Sequence, residues 1–105
     1  MKRDIVLISF PFTDFSGTKV RPAVVLIETE FDVTVAFITS QFKWKEKFDI
    51  VLQPSVENGL KQSSLIRVTK LATIDKQLIL GLLGDLSASD GFNLNEQLKA
   101  VLKLH

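Results

Sequence analysis

Short runs of β-branched and aliphatic residues, each closed by turn-forming residues, occupy this chain from Asp4 to about Leu86. That punctuation is the strongest constraint on the fold, because many short strands with polar turns build a barrel or a sandwich. Asp4 to Phe10 (DIVLISF) reads as a first strand, ended by Phe10-Pro11-Phe12 because proline cannot donate into a ladder. Thr13 to Val20 is turn chemistry around Ser16-Gly17, and Arg21 to Ile27 is a second strand with Pro22 tolerated at its start. Val33 to Ser40 alternates cleanly, with Val33, Val35, Phe37 and Thr39 on one face. Gln41 to Lys47 is a charged loop, Phe48 to Gln53 a fourth strand, and Pro54 to Ser63 a connection containing Asn58-Gly59. Ser64 to Ile74 is a fifth strand with Ile66 and Val68 facing one way and Arg67 and Thr69 the other. Leu78 to Leu86 is a possible sixth, weakened by Gly81 and Gly84.

The period then changes. Leu94, Leu98, Val101, Leu102 and His105 recur at helical spacing, with Ser87 or Ser89 as a cap and Asp90 favourable near the positive end of the helix. The expected fold is mainly β with a C-terminal α-helix: a small β-barrel over about residues 3–86, closed by a helix over about 88–104. At 105 residues the chain is one domain.

Composition removes several kinds of chemistry. There is no cysteine, so no thiol nucleophile, thiolate metal site or disulfide, which fits a reducing, cytoplasmic setting. The one histidine is His105, which leaves no material for a Ser-His-Asp triad or a multi-histidine metal site; no metal and no cofactor is expected. The formal net charge of +1 excludes a polybasic nucleic-acid protein, so any work on anions must come from a local cluster of cations. The longest apolar stretch, Leu78 to Gly84, is far too short to span a membrane. The N-terminus reads as a strand, not a signal peptide. Mean hydropathy is slightly positive, and in so small a domain that surplus points to a covered face, most simply a homodimer interface.

Each polar position has two readings. Arg21, at a loop–strand junction, either offers a planar donor fork to a phosphate or sits in an exposed ion pair. Thr39-Ser40-Gln41 either supplies hydrogen bonds to a phosphate or simply begins a turn. Arg67, in a strand centre, must reach solvent, a carboxylate or a ligand. Lys43-Trp44-Lys45 combines a stacking ring with backbone-neutralising cations, as in a single-stranded nucleic-acid site, or else the indole lies back on the barrel. Asp14 and Asp75 are general-base or arginine-holding acids, or turn formers.

Taken in order, DIVLISFPFTD (Asp4 to Asp14), GTKVRPAVVL (Gly17 to Leu26), VAFITSQ (Val35 to Gln41), SSLIR (Ser63 to Arg67), LATIDKQLI (Leu71 to Ile79) and GDL (Gly84 to Leu86) resemble the MazF/PemK family of toxins from type II toxin–antitoxin modules. The resemblance covers nearly the whole chain. It implies an SH3-like barrel with a C-terminal helix, a homodimer, and metal-independent, sequence-selective cleavage of single-stranded mRNA. It also implies a cognate antitoxin that blocks the RNA groove, and contact with operator DNA only through the antitoxin complex. By position, the arginine of the family's RP motif is Arg21, the threonine of its ITxQ motif is Thr39, and a strand arginine used by some members is Arg67. Ser64 falls at a serine common in that strand, and Lys19, Ser40, Gln41, Lys43, Trp44 and Lys45 complete the expected RNA-binding set.

The chemistry so implied is attack of a ribose 2′-hydroxyl on the adjacent phosphate, giving a cyclic phosphate and a 5′-hydroxyl. Arg21 would stabilise the transition-state phosphate. Arg67 would act as a second electrophile or proton donor, Thr39 would orient a phosphate oxygen, and Asp14 would take the 2′-hydroxyl proton. One departure matters: some relatives carry an acid two residues after the strand arginine, and here that position is Thr69. The rival readings are a non-nucleolytic toxin on the same fold that binds a protein such as DNA gyrase, and an inactive SH3-like binding or regulatory module.

Overall fold

The computed structural model describes residues 1–10 and 19–104. Asp14, most of the Thr13 to Val20 turn and His105 therefore lie outside the described residues. The elements are β1 (Asp4–Phe10), β2 (Lys19–Glu28), β3 (Asp32–Thr39), β4 (Ile50–Leu52), β5 (Ser64–Asp75), a 3-10 turn (Lys76–Leu78), β6 (Ile79–Asp85) and α1 (Ala88–Leu102). The strands form one antiparallel sheet in the order β4-β5-β3-β2-β1-β6. Among the described residues β4 and β6 do not pair with each other, so the expected barrel is a curled sheet with two edges rather than a closed cylinder.

Bulges supply the curl, since an extra residue on one strand bends it and increases its twist. Leu26 is the extra residue between β2 and β3, and Leu83 and Leu80 are extra where β6 meets β1. The largest irregularity lies between β3 and β5. Ala36 pairs with Leu71 and Ile38 with Ile66, so Arg67, Val68, Thr69 and Lys70 all stand against Phe37 alone.

The alternating pattern of β1 to β3 buries both faces. Ile5, Val24, Ala36 and Ile38 join Ile50, Leu52, Ile66, Val68, Leu86 and Leu94 in one cluster, against which Leu98 and Val101 of α1 pack. Val6, Ile8, Ala23, Val25, Val33, Val35 and Ile74 form a second cluster, with Phe10 and Phe37 edge to face at 5.5 Å. The face expected for Val33, Val35 and Phe37 is thus apolar and shared. Between the two serines at the helix start, Ser87 is the cap: its hydroxyl accepts from Asp90 N at 3.1 Å. Lys103 closes the helix in a left-handed conformation (φ 57°). Leu102, expected on the buried stripe, is 53% exposed.

Strand limits differ from expectation where the backbone has other partners. The fourth strand shrinks to Ile50–Leu52, because the Phe48–Asp49 end turns into the preceding loop, where Asp49 N donates to Glu46 O at 3.1 Å. The sixth strand forms despite its glycines. Gly84 is required there, since a side chain would collide with the Glu57 carbonyl, and Asp85 N donates to that carbonyl at 2.8 Å. Asp75 is a turn former, its carboxylate accepting from Gln77 N at 2.8 Å. No described helix is long and apolar enough to cross a membrane.

Candidate nucleic-acid interface

The β2–β3 ladder stops at Ala23↔Phe37, one residue before Pro22. Proline has no N–H with which to continue it. Beyond that point the strands part. Carrying the register two places further sets Arg21 across from Thr39 at the opening. An arginine–proline pair at this position therefore does two things: the proline ends the pairing, and the arginine stands where the gap begins.

Two adjoining cavities open there. One, of about 510 Å³, is lined by Arg21, Phe37, Ile38, Thr39, Arg67, Thr69, Lys70 and Leu71. The other, of about 220 Å³, is lined by residues that include Arg21, Thr39, Ser40, Lys61 and Ser64. Arg21, Ile38 and Thr39 belong to both, so the pair forms one groove with Arg21 and Thr39 at its middle. The bulge on β5 presents Arg67, Thr69 and Lys70 to one end of it.

The expected site residues divide accordingly. Arg21, Thr39, Arg67, Ser40 and Ser64 come together on the groove. Thr39 Oγ1 accepts from Gln41 N at 3.1 Å, which leaves the hydroxyl proton to donate. Ser64 is buried, and its hydroxyl donates to Gln62 O at 2.9 Å. Gln41, Lys43, Trp44, Lys45 and Lys19 do not line the groove. Trp44 does not lie back on the sheet: it is 66% exposed, with Lys43 Nζ over its ring at 5.1 Å. Lys61 and Lys70, solvent-exposed cations of the groove, were not singled out by sequence, because a lysine in a polar run carries no positional signal.

Glu46 and Asp49 were also missed. Arg67 Nη2 donates to Glu46 Oε1 at 2.7 Å, and Arg67 Nε lies 3.0 Å from Asp49 Oδ2. Asp49's side chain is fully buried and Arg67's is 14% exposed. Neither Arg67 Nε nor Asp49 Oδ1 has a directional hydrogen bond, so the close approach of these two side chains is Coulombic. Of the outlets open to a mid-strand arginine, Arg67 thus takes carboxylates and a cavity at once. The signal was the β4–β5 register: Ile50↔Ile66, carried back one place, sets Asp49 opposite Arg67. Among the described residues no three His, Cys, Asp or Glu side chains gather as a metal site would need.

The model of the PemK-like, MazF-like toxins of type II toxin–antitoxin systems matches residues 1–102. The chain belongs to that family. MazF-type folds are also what it resembles among solved structures. The Mycobacterium tuberculosis toxin MazF-mt6 superposes with a TM-score of 0.79 at 24% identity, covering 98% of this chain and 99% of its own. A MazF from Deinococcus radiodurans gives 0.75 at 17% identity, covering 98% and 96%. An endoribonuclease in complex with its cognate antitoxin, from a mycobacterial species, gives 0.75 at 14% identity, covering 100% and 96%. No curated protein matches the chain by sequence. In this member of the family Arg21 and Thr39 stand at the middle of the groove, and Thr69 lines it from the β5 bulge.

Proposed function

We propose that this toxin is a metal-independent endoribonuclease that cuts single-stranded RNA in the groove between β2, β3 and β5. One observation carries the reading: Arg21, Thr39 and Arg67, far apart in sequence, line a single open cavity large enough for a phosphodiester and its flanking sugars. Among the structural neighbours, one is an endoribonuclease bound to its antitoxin, which supports the same reading.

RNA carries its own nucleophile, so the protein has little covalent work to do. The 2′-hydroxyl attacks phosphorus, its proton passes to a base, and the bond to the 5′-oxygen breaks as that oxygen takes up a proton. Arg21 sits at the mid-groove, where guanidinium donors would meet the non-bridging oxygens as their charge grows. Thr39 donates its hydroxyl to one of those oxygens. Arg67, its Nη1 without a protein partner among the described residues, serves the same phosphate or the leaving oxygen. Asp14 is the proposed proton acceptor. Ser40, Ser64 and the Lys43-Trp44-Lys45 loop are the proposed holders of flanking nucleotides by hydrogen bonds and stacking, and Gln41 and Lys19 are proposed to add to them. The partners proposed are a second copy of the chain, an antitoxin, and operator DNA through the antitoxin complex, in the cytoplasm.

Arg21→Ala tests the reading. With EDTA present, the wild type should cut a panel of single-stranded RNAs to cyclic-phosphate and 5′-hydroxyl ends. The variant should lose about 10²–10³-fold in rate, the usual cost of one preorganised charge-stabilising donor. Cleavage by the variant at the wild-type rate would remove Arg21 from the chemistry. Failure of the folded wild type to cut any RNA would remove the nuclease assignment.

A further inference from the structure

The segment between β3 and β4, residues 40–49, carries the exposed Trp44 and the cations around it, and its far half is attached to one side chain. Arg67 Nη2 donates to the Trp44 carbonyl at 3.4 Å and to Glu46 Oε1 at 2.7 Å, while Nε faces Asp49 Oδ2 at 3.0 Å. The loop is also tied to itself: Asp49 Oδ2 accepts from Glu46 N at 2.9 Å, and Asp49 N donates to Glu46 O at 3.1 Å. The indole itself is 66% exposed, and among the described residues Lys43 Nζ lies over its ring at 5.1 Å. The position of Trp44 is therefore set through its backbone and through the Glu46–Asp49 turn. A guanidinium is a rigid planar fork, so fixing its Nε and Nη2 edge fixes where Nη1 lies. Arg67 itself lines the groove. One planar group thus joins the loop that bears the stacking ring to the cavity that would hold the phosphate.

We propose that Glu46, Asp49 and Arg67 form a clasp that sets the distance between a base stacked on Trp44 and the phosphate at Arg21 and Thr39. Glu46 and Asp49 are then positioning residues that determine which nucleotide sequence is cut. The inference rests on the endoribonuclease reading for its substrate, single-stranded RNA. Its physical basis is that stacking accepts any base, whereas selection requires the ring to be held at a fixed place relative to the reacting centre. The two carboxylates also leave the clasp with a formal charge of −1, so Arg67 draws RNA in far less than an unpaired arginine would. Its contribution to sequence selection is geometric, made through the Nε and Nη2 edge, while Nη1 is left to the phosphate.

The test uses the full chain with Glu46→Ala, Glu46→Gln and Asp49→Asn. Glu46 is about half exposed, so its variants should fold as the wild type does. Glu46→Gln keeps an acceptor for Nη2 and should stay close to wild type. Glu46→Ala should raise KM for the preferred sequence and lower the preference over other sequences, each by roughly tenfold, within the range one stacked base contributes. Its kcat should stay within about threefold of wild type. Asp49→Asn removes the charge that faces Arg67 Nε at 3.0 Å, a contact without hydrogen-bond direction, and it should shift preference in the same direction. Backbone ¹⁵N order parameters of residues 43–47 should fall from about 0.85 towards 0.6 in Glu46→Ala.

Unchanged preference and unchanged order parameters in Glu46→Ala would overturn the clasp. So would equal loss of turnover in Glu46→Gln and Glu46→Ala with KM and preference unaltered, which would make Glu46 a proton acceptor instead. If the wild type cuts no RNA, the endoribonuclease reading fails separately. The clasp is then decided by the order parameters alone, which need no substrate.

Discussion

The Arg67–Asp49 contact should be measurable as a coupling energy in the folding of this chain. Asp49's side chain is fully buried and Arg67's is 14% exposed, with Nε and Oδ2 3.0 Å apart. At that separation and an effective dielectric constant of about 20, the attraction is ~5.5 kcal/mol. Taking two ions out of water costs several kcal/mol, so most of that attraction is consumed. The contact lacks hydrogen-bond directionality, which removes the extra strength of a charge-assisted bond. The net coupling should therefore be about 1–3 kcal/mol, above the range of exposed pairs.

The experiment is a double-mutant cycle in urea with wild type, Arg67→Ala, Asp49→Ala and the double variant. All are measured at one protomer concentration, because self-association would shift apparent stability. Arg67→Ala should be the more costly single change, about 3–5 kcal/mol, because it strands a carboxylate with no exposure to water. Asp49→Ala should cost less, because Arg67 keeps Glu46 and part of its solvent access. A coupling below about 0.5 kcal/mol would refute the argument, and would mean that the two side chains are neighbours without being partners.

The two glycines of β6 should behave differently. Gly84→Ala should cost about 1–3 kcal/mol, since its methyl group would strike the Glu57 carbonyl, whereas Gly81→Ala meets no atom within 4 Å and should stay within about 0.5 kcal/mol in urea unfolding. Glu28 accepts from Lys76 Nζ at 2.8 Å and lies near the N-terminal amine, and these contacts, led by the Lys76 hydrogen bond, hold its carboxyl below the ordinary value of 4.5. A depressed acid stabilises the fold above its unfolded-state value, and the contribution fades as pH falls through the folded one. Glu28→Gln should accordingly remove part of the stability loss seen on acidifying below about pH 4.5, read from urea midpoints across that range.

The fold was largely legible because its signals are local. Alternation in β3, the change of period after Leu86 and a serine before the helix each depend on a few neighbouring residues. The errors fell where a distant partner decides. Gly84 looks like a defect in a strand until the Glu57 carbonyl packed against it is seen. The fourth strand is shorter than its apolar run because Asp49 N is already bonded to Glu46 O. Whether the curled sheet closes depends on edge pairing between β4 and β6, a relation between strands that no run of residues encodes by itself.

The site was legible in its anchors and not in their supports, and the bulge explains the difference. Thr39 ends β3 and Arg21 lies two residues inside β2, where motif order alone places them, and the break at Pro22 gives their meeting point a local cause. Arg67 sits where strict alternation fails: with Arg67 to Lys70 all facing Phe37, the β5 backbone departs from a regular ladder. A period-2 reading can say that Arg67 faces away from Ile66 and Val68. It cannot say that Lys70, three residues on, shares the same cavity, nor that the acid opposite Arg67 comes from the loop just before β4. Along β5 alone, the position two residues after Arg67 is Thr69 and offers the arginine no acid. From the loop that leads into β4 two carboxylates do reach Arg67, one buried against Nε and one half exposed on Nη2. In this chain the arginine's carboxylate partners lie across space rather than along the strand, and that placement ties the groove to the loop of its only tryptophan.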